Sequence, residues 1–189
     1  GNVYPGAQIP FGGIQMSPDT DSRFYDAASG YKYNHLTLMG FSLTHLSGTG
    51  IPDLGDFLFI PGTGEMKLEP GTHEDPDKGY RSRYSHDKEW ASPNYYAVEL
   101  ADYGVKAEMT SGVRSGMFRF TYPESDSAFI MIDMNHTLWQ SCEWSNLRMI
   151  NDSTITGYKL VKGWGPERHV YFTATFSKKL TGLRFVQDK

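Results

Sequence analysis

Apolar and polar residues alternate with a period of two through most of this chain. The clearest runs follow residue 95. Tyr96, Val98 and Leu100 alternate, and Asp102-Tyr103-Gly104 turns the chain. Val105, Ala107 and Met109 then alternate against Lys106, Glu108 and Thr110, the pattern of a half-buried strand. Ser111-Gly112 turns the chain again, and Arg114, Gly116, Phe118 and Phe120 form the apolar-leaning face of the next strand. Residues 128–134 are almost wholly apolar, which predicts a central strand buried on both faces. The turn Asn151-Asp152-Ser153 joins a strand around Met149-Ile150 to one over 154–161. Residues 168–176 alternate with Val170, Phe172, Ala174 and Phe176 inward, and Leu183 and Phe185 close the chain in a strand-like segment.

Before residue 95 the pattern is broken more often. Ile14 and Met16 suggest a short strand, and residues 21–35 read as a loop packed by Tyr25, Tyr31 and Tyr33. The run Phe57-Leu58-Phe59-Ile60 reads as a buried strand stopped by Pro61-Gly62. Residues 61–94 form a polar interruption, with short strands near Met66-Lys67-Leu68 and Tyr80-Arg81-Ser82-Arg83-Tyr84. The count is about ten to twelve strands and no helix, with turn signals roughly every 8–12 residues. That predicts an all-β fold, an antiparallel β-sandwich, in one domain over residues 1–189.

Composition supports this. Aromatic residues make up 14% of the 189 positions, alongside 20 glycines, as in sandwiches and barrels. A net charge of −4 with scattered Lys and Arg excludes a nucleic-acid footprint. The lone Cys142 excludes an internal disulfide. No apolar run reaches the roughly 18 residues of a membrane-spanning helix. The chain opens without Met or a signal-peptide pattern, and it reads as part of something longer.

Candidate chemistry gathers on two loop regions. The first is Gly40-Phe41-Ser42-Leu43-Thr44-His45-Leu46-Ser47-Gly48-Thr49-Gly50-Ile51-Pro52-Asp53-Leu54-Gly55-Asp56. It starts as a strand with Phe41, Leu43 and His45 on one face, then dissolves into glycines that let backbone approach a ligand closely. Its hydroxyls and carboxylates suit a polyol, or equally a surface loop that satisfies its own backbone. The second region is the loops at 135–146 and 163–166, which concentrate His136, Trp139, Gln140, Glu143, Trp144 and Trp164, with Arg168 just beyond. Stacking faces beside bidentate polar groups are the ingredients of a sugar subsite, and aromatic caps on a sandwich would look the same. No P-loop, dinucleotide fingerprint, metal-ligand spacing or nucleophile elbow occurs. Paired carboxylates remain, among Asp53, Asp56, Asp133, Glu143 and Glu167, and nothing in the sequence selects a pair.

Several motifs occur in order along the whole chain. They are Tyr4-Pro5-Gly6-Ala7, Pro10-Phe11-Gly12, Gln15-Met16-Ser17-Pro18-Asp19-Thr20, Gly40-Phe41-Ser42-x-Thr44-His45-x-Ser47-Gly48-x-Gly50 and Gly55-Asp56-Phe57-Leu58. Ser85-His86-x-x-Glu89-x-Ala91-Ser92-Pro93-x-Tyr95-Tyr96 and Thr110-Ser111-Gly112-x-Arg114 follow. Together they resemble the N-terminal β-sandwich domain of glycoside hydrolase family 92, exo-acting α-mannosidases common in gut Bacteroidetes. The resemblance implies a galactose-mutarotase-like supersandwich set ahead of an (α/α)6 barrel. It implies a calcium-dependent, inverting hydrolase of mannose-containing glycans, α-1,2 linkages included, in the periplasm or secreted. It places the acid, the base and most calcium contacts on the barrel, so this chain alone is expected to be inactive. His45, Ser47, Gly48, Thr49 and Gly50, with Trp164, are then the expected substrate-facing residues. A free-standing carbohydrate-binding module is the other reading of the same residues.

Overall fold

The computed structural model describes residues 2–23 and 26–186; Tyr25, named above, lies outside them. In chain order the first strands are β1 (Ser17–Asp19), β2 (Thr37–Leu38), β3 (Gly40–Ser42), β4 (Leu58–Gly62) and β5 (Ser82–Arg83). Then come β6 (Glu89–Ser92), β7 (Tyr95–Leu100), β8 (Val105–Ser111), β9 (Gly116–Thr121) and β10 (Phe129–Asp133). The last three are β11 (Ser141–Asn151), β12 (Thr154–Lys162) and β13 (Arg168–Thr175). Among the described residues the helical segments are two single 3-10 turns, Pro76–Lys78 and His86–Lys88. The all-β expectation holds.

The strands form four antiparallel sheets, ordered β1-β3-β4-β10, β6-β7-β8-β9, β11-β12-β13 and β2-β5. The β6–β9 meander pairs Tyr96 with Met109, Val98 with Ala107 and Leu100 with Val105, so six buried side chains share one face. Phe41, Met16 and Tyr31 close over that face. Burying one such aliphatic side chain contributes about 1.5–3 kcal/mol. The two four-stranded sheets meet through rings: Phe59 stands 5.3 Å from Phe118, and Phe41 stands 6.3 Å from both Phe118 and Phe120. Below β4, Leu58 and Ile60 pack with Met39, Tyr80 and Met131. The third sheet docks where Phe172 of β13 meets Phe57 at 4.5 Å.

Several elements differ from their sequence expectation. β10 pairs with β4 alone and every residue in it is half-buried, so it is an edge strand of its sheet. An apolar run by itself marks neither full burial nor a central place in the sheet. β11 begins at Ser141, inside the stretch that loses its pattern, because a register shift between Cys142 and Trp144 breaks the alternation. β6 was hidden in the polar interruption because Trp90, Ala91 and Ser92 are exposed. Met66 and Leu68, and likewise Leu183 and Phe185, are exposed and belong to no strand. Met16 bridges to Ala7, and the strand proper starts one residue later.

Candidate functional site

Strand β3 ends at Ser42, and the chain curls back on itself. Leu43 N donates to Asp56 O at 3.0 Å, and Gly55 N donates to Thr44 O at 2.8 Å. This curl brings His45 inward, 2% exposed. A carbonyl only accepts, so His45 Nδ1 donates to Gln15 O at 2.7 Å. Its Nε2 lies 2.8 Å from Asp19 Oδ1 and 3.0 Å from Ser42 Oγ. The other oxygen of Asp19 lies 2.9 Å from His136 Nε2. Burial alone would push the Asp19 carboxyl up, but the two imidazoles outweigh it and hold the group well below the usual range. Gly30, at φ +81°, admits this arrangement: a β-carbon there would strike Asp19 Oδ1.

A second carboxylate anchors the neighbouring loops. Asp56 Oδ2 accepts from Thr44 Oγ1 at 2.6 Å and from Arg168 Nη1 at 2.5 Å. Lys159 Nζ, fully buried, lies 3.1 Å from Asp56 Oδ1, 5.1 Å from the centre of the Phe57 ring, and donates to His136 O at 2.5 Å. Burial pulls the Lys159 ammonium below its ordinary value despite Asp56. Burial pushes the Asp56 carboxyl up, and Lys159, Arg168 and Thr44 together bring it down. Asp53 Oδ1 accepts from Leu54 N and Gln140 Nε2, and Arg168 Nη2 reaches Gln140 Oε1 at 3.4 Å. His136 joins the two carboxylate centres, its ring on Asp19 and its carbonyl on Lys159.

Backbone strain collects at the same place. Leu54, Phe57 and Trp139 adopt φ of +72°, +58° and +75°. Each such non-glycine residue costs about 1–3 kcal/mol and persists only where its surroundings dictate it. Gly55, at φ +74°, would put a β-carbon 2.6 Å from Leu138 Cγ, and Leu138 N donates to Leu54 O at 2.9 Å. The two loop regions singled out in the sequence are thus bound together.

The remaining expected residues lie outward. Ser47, Gly48 and Thr49 are exposed and Gly50 half-buried, on a rim where Gly48 N donates to Asn2 O at 2.5 Å. Thr49 Oγ1 donates to Ile51 O at 2.8 Å. Trp164 stands 66% exposed on a turn closed by Gly163 N and Gly165 O. Trp144 leans on Tyr158, and Glu143 pairs with Lys162 on the exposed side of β11 and β12, away from the carboxylate centres. Glu167 pairs with His169. Sequence reasoning passed over Asp19 and Lys159. Lys159 had a signal: it stands at an inward position between Gly157 and Val161 of an alternating strand, where a charge needs a partner. Every described carboxylate whose pKa departs from its ordinary value moves down, Asp19, Asp56, Glu108 and Glu143 among them. A general acid needs the opposite shift.

The family profile described as the glycosyl hydrolase family 92 N-terminal domain matches residues 1–189. The chain belongs to glycoside hydrolase family 92, as its N-terminal domain. Among solved structures, the family GH92 alpha-mannosidase BT3965 from Bacteroides thetaiotaomicron is 98% identical, with a TM-score of 0.97. The match covers 100% of this chain and 26% of that one. The same GH92 mannosidase in complex with mannoimidazole matches equally, over 25% of its length. The GH92 family glycosyl hydrolase ccman5 is 27% identical with a TM-score of 0.72, over 92% of this chain and 24% of its own. A search of curated proteins finds no match. The GH92 domain thus spans about a quarter of the solved mannosidase it matches.

Proposed function

We propose that this GH92 domain is the supporting part of an exo-α-mannosidase that hydrolyses mannose-containing glycans, α-1,2-linked ones among them. One observation carries the proposal: near-identity along the entire chain to a GH92 alpha-mannosidase that has been seen with mannoimidazole bound. In this reading a helical (α/α)6 domain supplies the catalytic acid and base of an inverting reaction. The lowered carboxyls of Asp19, Asp56 and Glu143 support that division, since a general acid needs the opposite shift. The rim Ser47, Gly48, Thr49 and Gly50 offers backbone and hydroxyl groups to a sugar, and Trp164 offers a stacking face. His45 acts as a positioning residue, holding the start of that rim through Asp19 and Gln15.

Calcium belongs to the proposal for the whole enzyme. It takes about six to eight oxygen ligands. The one metal-competent group among the described residues has two imidazoles and a single carboxylate, which does not fit calcium. Its cage is therefore proposed on the other domain. The periplasm or the cell exterior is the proposed location.

The test is mannose release from α-1,2-mannobiose with calcium, comparing the domain with its full-length parent. Release by the parent alone supports the reading; comparable turnover by the domain overturns it. In the parent, Trp164→Ala should lower kcat/KM without changing Tm, and unchanged kcat/KM removes Trp164 from the pocket.

A further inference from the structure

Asp21, His35 and His73 come from three separate segments, yet their ligand atoms all lie within 4.8 Å of one another. His73 Nε2 is buried without a hydrogen-bond partner and stands 3.4 Å from Asp21 Oδ2. In a tetrahedral zinc site, bonds of about 2.0–2.1 Å set ligand atoms about 3.3–3.4 Å apart. Both imidazoles are anchored through their other nitrogen on a threonine: His35 Nδ1 on Thr20 Oγ1 at 3.1 Å, His73 Nδ1 on Thr37 Oγ1 at 2.9 Å. Each Nε2 is thereby turned toward a carboxylate, His35 to Asp26 Oδ2 at 3.3 Å and His73 to Asp21. Hydrogen bonds that fix a histidine at Nδ1 and aim Nε2 are how metal sites orient their ligands.

We propose that Asp21, His35 and His73 bind a divalent transition-metal ion of the zinc class, stapling three segments of the GH92 domain together. The donor set, two imidazoles and a carboxylate, selects zinc, cobalt or nickel over magnesium or calcium. His73 also lines a surface cleft of about 400 Å³ with Thr37 and Glu74. Three cations oppose the ion, and one of them, Lys32, is held on Asp26 beside His35. Arg81 Nη1 reaches His73 Nδ1 at 3.4 Å, but it keeps shorter bonds to Thr20 O and Thr37 Oγ1. Arg23 Nη2 sits 2.6 Å and its Nε 2.7 Å from Asp21 Oδ2, with the side chain 66% exposed, so it can swing into solvent. Arg23 is a competitor held on the same oxygen.

The experiment is calorimetric titration of zinc into the full-length protein with calcium saturating, together with Tm measured with and without zinc. The expected result is zinc uptake by the wild type, tightened in Arg23→Gln and accompanied by a higher Tm. His73→Gln and Asp21→Asn should weaken that uptake at least about tenfold. Thr37→Val, which touches no ion, should weaken it by about 10–100-fold, as loss of an outer-shell partner does. A Tm for metal-free His73→Gln equal to the wild type shows that the variant is folded. No uptake by either wild type or Arg23→Gln overturns the proposal, as does unchanged affinity in folded His73→Gln. Neither result bears on mannose release.

Discussion

Tyr96, Val98, Leu100, Val105, Ala107 and Met109 fill one dry layer of this domain with apolar surface. Asp19, His45, His136, Asp56 and Lys159 fill another with charge. Both layers are shut off from water, and they respond differently to damage. Apolar packing loses stability in proportion to the atoms removed and is indifferent to pH. A buried ionic network loses stability by leaving a charge without its partner, so one missing atom can cost more than a missing side chain. The apolar layer is built by hairpins local in sequence, whereas the charged one joins positions 19, 45, 56, 136, 159 and 168.

The sharpest way to break this comparison is Asp56→Ala, which strands Lys159. It should cost about 3–5 kcal/mol, read by denaturant unfolding of the full-length protein. The double variant Asp56→Leu, Lys159→Met should recover much of that loss; if it is as unstable as Asp56→Ala, the stranded charge is not the cause. Val98→Ala, in the other layer, should cost about 2 kcal/mol, equally at neutral and acid pH. Acid supplies the next test. The folded-state pKa values of Asp19 and Asp56 are depressed, so their contribution is complete above the ordinary aspartate value of about 3.9. It is lost as pH falls from there through the folded values. Stability plotted against pH should therefore drop on the acid side, and Asp19→Asn should flatten the drop; an unchanged slope would remove Asp19 from the account. At the small end, Glu143→Gln loosens an exposed pair with Lys162 and should leave Tm unmoved.

The apolar layer was the legible one. Strands β7, β8, β9, β12 and β13 follow their alternation closely, because a face that must be buried writes itself into every second residue. The glycine-rich loop at 40–56 also announced itself, and so did the breaks in the pattern at 135–146 and 163–166, although β11 takes up the first of these from Ser141 on. What alternation could not show was the partner of each charge. Asp19 lies 26 positions from His45 and 117 from His136, and no local spacing encodes such a meeting. The same holds for Asp21, His35 and His73, which match no metal-ligand motif yet converge in space. The inward side of His45 could be read from its place on the face of Phe41 and Leu43, whereas its partners Gln15 and Asp19 could not.

Lys159 has a practical consequence for the chemist at the bench. It is the buried lysine among the described residues, and those at 78, 88, 162 and 179 stand in solvent. An amine-directed reagent such as an acylating ester or a reductive methylation mix should modify these exposed lysines first. The Lys159 amine stays masked while the charged layer is intact. Its mass label, appearing late, would report the opening of that layer peptide by peptide, in a crude extract and without purified protein.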